Sequence, residues 1–151
     1  MKKLLFVFLL VPFVSFGQNS KIKDFKITIL STMLSDTHIG EWGFSAMIEA
    51  DGQRILFDTG SRENTVLQNS RELNISLEKI DNVFLSHNHK DHTGGLISLR
   101  KNYPTSFSNA HIGEGIFYPR PNSRGTEHYI LKNKTNLETL GIDFISHKNP
   151  S

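Results

Sequence analysis

No cysteine occurs in the 151 residues of this chain. Disulfides, thiolate metal sites and cysteine nucleophiles are therefore excluded, and any metal must be held by His, Asp, Glu and water. An excess of one charge is missing too. The formal net charge is +2, and Lys2 and Lys3 account for it, because the remaining 15 basic residues balance the 15 acidic ones. No basic stripe with interleaved aromatics is present, so no nucleic acid partner is expected. Beyond the N-terminal segment there is no internal repeat and no low-complexity tract. Residues 4–14 form an apolar run broken only by Pro12. That run is shorter than the roughly 20 residues a membrane-spanning helix needs, so no stable membrane anchor is expected.

The same segment has the pattern of a secretory signal peptide over residues 1–17. Lys2 and Lys3 give the positive start, the apolar run follows, and Ser15 and Gly17 are small residues placed for cleavage before Gln18. Export, to the periplasm or beyond, is expected. Residues 18–24 read as a polar leader, and residues 25–151 are short enough for one domain.

Within that domain the pattern is α/β with an antiparallel opening. F-K-I-T-I-L (25–30), F-S-A-M-I-E-A (44–50) and Q-R-I-L-F (53–57) alternate as strands. Asp51-Gly52 between the last two is a hairpin signal. Residues 62–73 favour a helix with Val66, Leu67 and Leu73 on one side. N-V-F-L (82–85) is an almost wholly apolar run that suits a strand buried on both faces. A helix is expected over 95–102 and strands over 105–110, 129–131 and 143–146, with a Gly/Pro/Asn/Ser-rich loop over 112–126.

Chemistry concentrates in L-S-H-N-H-K-D-H-T-G-G, residues 85–95, which holds three of the seven histidines within six residues. His87 and His89 are two apart, so in an extended loop both imidazoles project to one side. Asp91 and His92 follow where the chain turns toward a helix. One tetrahedral ion takes about four ligands and cannot comfortably take all of these neighbours. Two neighbouring metals suit better, one on His87 and His89 and one on Asp91 and His92, with a bridging water acidified toward neutrality. The cluster follows a buried strand, where α/β proteins place ligands. Thr93 is placed to cap the next helix, and Gly94 and Gly95 let backbone pass close to the ions. Asp58 also ends an apolar strand and can accept a hydrogen bond from a ligating imidazole. His38, His111, His128 and His147 stand alone and read as ordinary histidines.

H-N-H-K-D-H resembles the H-x-H-x-D-H motif of the metallo-β-lactamase-fold hydrolases, and I-L-F-D-T-G (55–60) resembles their first motif in the same order and spacing. E-W-G-F-S-A-M-I-E (41–49), taken with these, is similar to one branch, named after the methanopterin-pathway enzyme β-ribofuranosylaminobenzene phosphate synthase. The resemblance runs from about Phe25 to the C-terminus. It implies an αββα sandwich, a two-zinc site with His87 and His89 on the first metal and Asp91 and His92 on the second, and Asp58 in support. Asp91 would be both ligand and catalytic proton acceptor. The branch's domains are longer, and their C-terminal half supplies further ligands, so these residues are expected to form the N-terminal half of the sandwich. His147 lies where some relatives have a third histidine, but D-F-I-S-H-K-N-P-S reads as an edge strand before a turn.

The function this implies is an exported zinc hydrolase in which a metal-bound hydroxide attacks an ester, amide or phosphoester of a small-molecule substrate. Two alternatives stand beside it. One is a non-catalytic metal-binding remnant or subunit needing a second chain for the missing half. The other is a synthase-like transferase, as the branch's label suggests.

Overall fold

The computed structural model describes residues 21–119 and 128–148. The expected signal-peptide segment 1–17 lies outside them, as do residues 18–20 of the expected leader and 120–126 of the expected loop. Six strands form one sheet in sequence order: β1 (Phe25–Ser31), β2 (Ser45–Ala50), β3 (Gln53–Phe57), β4 (Asn82–Leu85), β5 (Asn109–Gly113) and β6 (Asp143–His147). The first three pair antiparallel and the rest parallel. Asp51 and Gly52 both have positive φ, 47° and 82°, the geometry that matches a two-residue hairpin to strand twist.

Five helices join the strands: α1 (Thr65–Glu72), α2 (Lys90–Thr93), α3 (Leu96–Asn102), α4 (Tyr129–Lys132) and α5 (Lys134–Thr139). Alternation sends Leu30, Met47, Leu56, Val83, Leu85, Ala110 and Ile112 to one face of the sheet. There they join Val66, Leu67, Leu96, Leu99, Ile130 and Leu137 of the helices in a single core. The opposite face carries Phe25, Ile27 and Ile29, which are exposed, and Ile48, Ile55, Phe57 and Phe84, which are half-buried. One layer of helices on one layer of sheet is what results, and the α/β class is as expected. Among the described residues no helix is long and apolar enough to cross a membrane.

Four expectations need correction. The segment at Tyr129–Leu131 is helical, not extended: only Ile130 is buried there, and the place beside β5 is taken by β6. Propensity yields here to tertiary placement. The strand expected over 105–110 begins at Asn109 instead. Phe107 sits at φ 58° with its N–H on Ile80 O, and Arg100 Nη1 donates to Ser106 O at 2.8 Å, so a fixed turn precedes the pairing. That strand continues through Gly113, into the stretch read as loop. β4 is buried on one face only, through Val83 and Leu85, because the helices cover only that side of the sheet.

Candidate metal centre

Strands β3 and β4 run parallel, so their C-terminal ends lie side by side. Asp58 follows the first and Ser86-His87 the second, which brings together residues 28 or more apart in the chain. Asp58 is fully buried and has φ 54°, a left-handed conformation that Asp tolerates better than most residues. Its N–H donates to Phe84 O at 2.8 Å. Its Oδ1 accepts from Ser86 N at 2.8 Å and its Oδ2 from Ser86 Oγ at 2.7 Å. Oδ2 also lies 2.7 Å from His92 Nδ1. With Nδ1 donating there, His92 Nε2 is left as the free donor atom, 3.6 Å from Asp91 Oδ2.

Ligand atoms of His87, Asp91 and His92 all lie within 4.8 Å of one another. The rings of His87 and His92 are 4.1 Å apart, and His89 packs edge-on against His87 at 4.6 Å. From the sequence, His87 was paired with His89 and Asp91 with His92; the structure groups His87 with Asp91 and His92 and sets His89 beside them. His128, read as an isolated histidine, has its ring 5.9 Å from that of His89. Burial, and then the charges of His92 and His89, push His87 below its ordinary value against the opposing pull of Asp58 and Asp91. A low value favours the neutral imidazole that ligates. Two imidazoles and a carboxylate, one imidazole fixed from behind by a buried carboxylate, form a donor set suited to a zinc-like ion.

The backbone of Asp91 and His92 is clamped by both motif segments. Phe44 N donates to Asp91 O at 3.1 Å, and Thr59 N and Oγ1 to His92 O at 2.7 and 3.1 Å. Gly94 N donates to Gly60 O at 2.9 Å, and a Cβ on Gly94 would meet Ser61 O at 2.1 Å. Here the structure revises two expectations. The close approach permitted at Gly94 and Gly95 is to the 59–61 backbone. Thr93 lies inside α2 with Oγ1 on His89 O at 3.0 Å, and α3 has no side-chain cap.

The segment between β1 and β2, residues 32–44, supplies two features the sequence did not disclose. Glu41 is buried behind the clamp. Trp42 and Met33, largely exposed, line an open pocket with Phe44, Asp91 and His92. His38 pairs with Glu72, and His111 of β5 stacks on His147 of β6, neither belonging to the His87–Asp91–His92 group. A polar pocket beside His87, lined also by Ser86, Glu114 and Ile116, opens at the end of β5.

A family model described as anti-Pycsar protein Apyc1 matches residues 25–111, more than half of the chain. The chain belongs to the Apyc1 family. The matched span includes Glu41, Asp58 and the whole of H-N-H-K-D-H. Among curated relatives, a Methanocaldococcus jannaschii protein named 7,8-dihydropterin-6-methyl-4-(beta-D-ribofuranosyl)-aminobenzene-5'-phosphate synthase is 32% identical over 142 residues. The match takes in 86% of this chain and 48% of that one. The Apyc1 protein of Saccharibacillus brassicae is 42% identical over 52 residues, 34% of this chain and 20% of that one. The chain thus spans about half the length of the synthase relative, or less of the other. Of solved structures, a Thermotoga maritima protein assigned to the metallo-β-lactamases superposes with TM-score 0.53 at 17% identity, over 84% of this chain and 60% of that one. Human tRNase Z, short form, superposes with TM-score 0.50 at 20% identity, over 81% and 43%. This member of the Apyc1 family therefore has the metallo-β-lactamase fold, and the branch similarity read from its motifs holds.

Proposed function

We propose that this Apyc1-family chain is the metal-binding portion of a metal-dependent hydrolase. The observation that carries the reading is the convergence of His87, Asp91 and His92 within 4.8 Å, with His92 turned by the buried Asp58. His87, Asp91 and His92 would hold the metal, with His89 beside them as a further ligand. Such an ion supplies Lewis acidity, polarising a substrate oxygen and lowering the pKa of a water. Zinc suits the nitrogen and oxygen donors. The chain's own part is to fix the His92 tautomer through Asp58, to keep the Asp91 carboxylate at the opening for proton transfer, and to present a partly open pocket. The synthase relative's product, by its name, carries a ribofuranosyl 5'-phosphate, which makes small phosphoesters the substrate class of first choice over carboxylic esters and amides. That same relative, at 32% identity, favours a synthase-like transfer as the second reading. Remaining ligands would come from further chain or a partner subunit, and export would follow from residues 1–17.

The test is metal content and phosphoesterase activity of the purified chain, alone and with His87→Ala or His92→Ala. Expected are at least one zinc per chain, lost in both variants, and hydrolysis of small phosphodiesters or monoesters that falls with it. Wild-type chain that folds but takes up no zinc would defeat the proposal. Zinc uptake without hydrolysis of any ester would favour the non-catalytic, partner-dependent subunit.

A further inference from the structure

The side chain of Glu41 is almost wholly buried, at 4% exposure, and none of the chemistry above uses it. Four neutral donors saturate it. Ser31 Oγ and Ser61 N reach Oε1, both at 2.8 Å, and Arg62 N and Thr65 Oγ1 reach Oε2, both at 2.9 Å. A buried carboxylate is tolerated when its lone pairs are filled in this way. The donors come from three separated places: β1, the turn after Asp58, and the first residue of α1. Glu41 itself lies two residues before Gly43. A Cβ on Gly43 would meet Asp91 O and Ser61 N, both at 2.8 Å, and a Cβ on Gly60 would meet Glu41 Oε1 at 2.4 Å. The chain on either side of the carboxylate is therefore in contact with the backbone that carries the metal ligands.

Resting on the metal-site reading above, we infer that Glu41 is a positioning residue for the metal centre. It ties the 41–44 segment to the 60–62 turn and so closes the clamp that sets Asp91 and His92. From Glu41 one arm runs through Gly43 and Phe44 N to Asp91 O. The other runs through Ser61 and Arg62 to Gly60 O, which takes Gly94 N directly after the ligand helix. Fixing ligand-bearing backbone raises metal affinity because less ordering remains to be done on binding. Glu41→Gln keeps the shape but turns one of the two acceptor atoms into a donor. The hydroxyl there can turn to accept from that NH2, but the backbone N–H of Ser61 or Arg62 cannot, and the turn must move.

The experiment measures the zinc dissociation constant of the full chain by competition with a chromophoric chelator, together with the urea midpoint. It compares wild type, Glu41→Gln, Glu41→Asp and Leu77→Ala. Leu77 is fully buried and lies before β4, at the end of the strand away from the site, so it supplies destabilisation alone. Glu41→Gln is expected to weaken zinc binding about tenfold or more, Glu41→Asp by less, and Leu77→Ala not at all despite an equal or greater loss of midpoint. Glu41→Gln that binds zinc as wild type does while losing stability shows a purely structural carboxylate and overturns the inference. Should Glu41→Gln not fold, Thr65→Val and Ser31→Ala each remove one donor. A few-fold weakening in either supports the inference, and unchanged affinity in both overturns it. Wild type that takes no zinc overturns the hydrolase reading and this one together, whereas a zinc-binding wild type with an indifferent Glu41→Gln overturns this one alone.

Discussion

The two faces of the sheet come from the same six strands and the same alternation, yet they meet different surroundings. On one face Leu56, Val83 and Ala110 lie under helices with no exposed surface. On the other, one residue away along each strand, Ile27, Ile55 and Phe84 have no helix over them and Ile27 is half exposed. In register, Ile27, Ile48, Ile55, Asn82 and Asn109 face the same way, as do Ala46, Phe57, Phe84 and His111. A solvated sheet face ordinarily turns polar on alternate residues. Apart from Gln53 at the start of β3, this one stays apolar over β1 to β3, and Asn82, Asn109 and His111 make it more polar at β4 and β5. The second sheet of the αββα sandwich that the motifs imply is what such a face would pack against. The His/Asp cluster sits at the strand ends where the two faces meet, so its buried support, Asp58 and Glu41, belongs to the covered side.

The sharpest way to break this comparison is to cut one side chain from each face. Leu99→Ala, in the helix layer, is expected to cost about 2–5 kcal/mol in chemical denaturation. Ile27→Ala, 52% exposed, is expected to stay within about 0.5 kcal/mol. Similar losses would mean the open face is occupied in solution by another copy of the chain.

At the seam, Asp58→Asn is expected to weaken zinc binding about 10–100-fold. The amide can keep the Ser86 N bond only by setting its NH2 against Ser86 Oγ and His92 Nδ1, which disfavours the tautomer with Nε2 free. Chelator competition reads this directly, and undiminished affinity would show that Asp58 supports the strand ends rather than the ligand. A smaller effect is expected on the open face. Ile27→Lys with Ile29→Lys should raise the concentration at which the chain self-associates by a few-fold, at nearly constant urea midpoint. Light scattering that does not change would mean that the apolar stretch of β1 is not where copies meet.

Much of this arrangement was legible in the sequence, and the limits have physical causes. Asn82–Leu85 was found to the residue because a short, almost wholly apolar run flanked by polar turns has few other uses. Asp51-Gly52 was plain because two positive-φ positions in sequence call for those residue types. The four candidate ligands, His87, His89, Asp91 and His92, were visible as residue types; that atoms of His87, Asp91 and His92 come within 4.8 Å was not, since that depends on where α2 starts and on the pull of Asp58 upon His92. Tyr129–Leu131 misled because β-forming side chains say nothing about whether a sheet edge is free. Glu41 opens the E-W-G-F-S-A-M-I-E motif, but nothing in the sequence told of its burial: a glutamate before Trp-Gly in a polar stretch looks solvated, and only the fold brings Ser31, Ser61, Arg62 and Thr65 around it.

The smallest expected effect concerns the polar end of the open face. His111 stacks on Phe84 with ring centroids 4.3 Å apart, its Nδ1 lies 2.9 Å from His147 Nε2, and its Nε2 lies 2.9 Å from Asn82 Oδ1. Burial first, and the neighbouring His147 charge second, lower its pKa from the ordinary 6.5. Between the lowered folded value and 6.5 the unfolded chain holds more of this proton, so stability rises with pH across that window and is lost as pH falls through it. Above 6.5 both states are neutral at this ring and the dependence vanishes. His111→Gln removes the titration while keeping an amide within reach of Asn82. Urea midpoints taken in chelator at about pH 7.5 and about pH 5.5 should therefore fall less in the variant than in wild type. Equal falls would place the acid sensitivity elsewhere, with His87 the first candidate, because its value is lowered as well. A covered face would enlarge the difference, since adding apolar surface over His111 raises the cost of its charge, so the size of the gap between wild type and variant reads through one histidine how far this face is covered in solution.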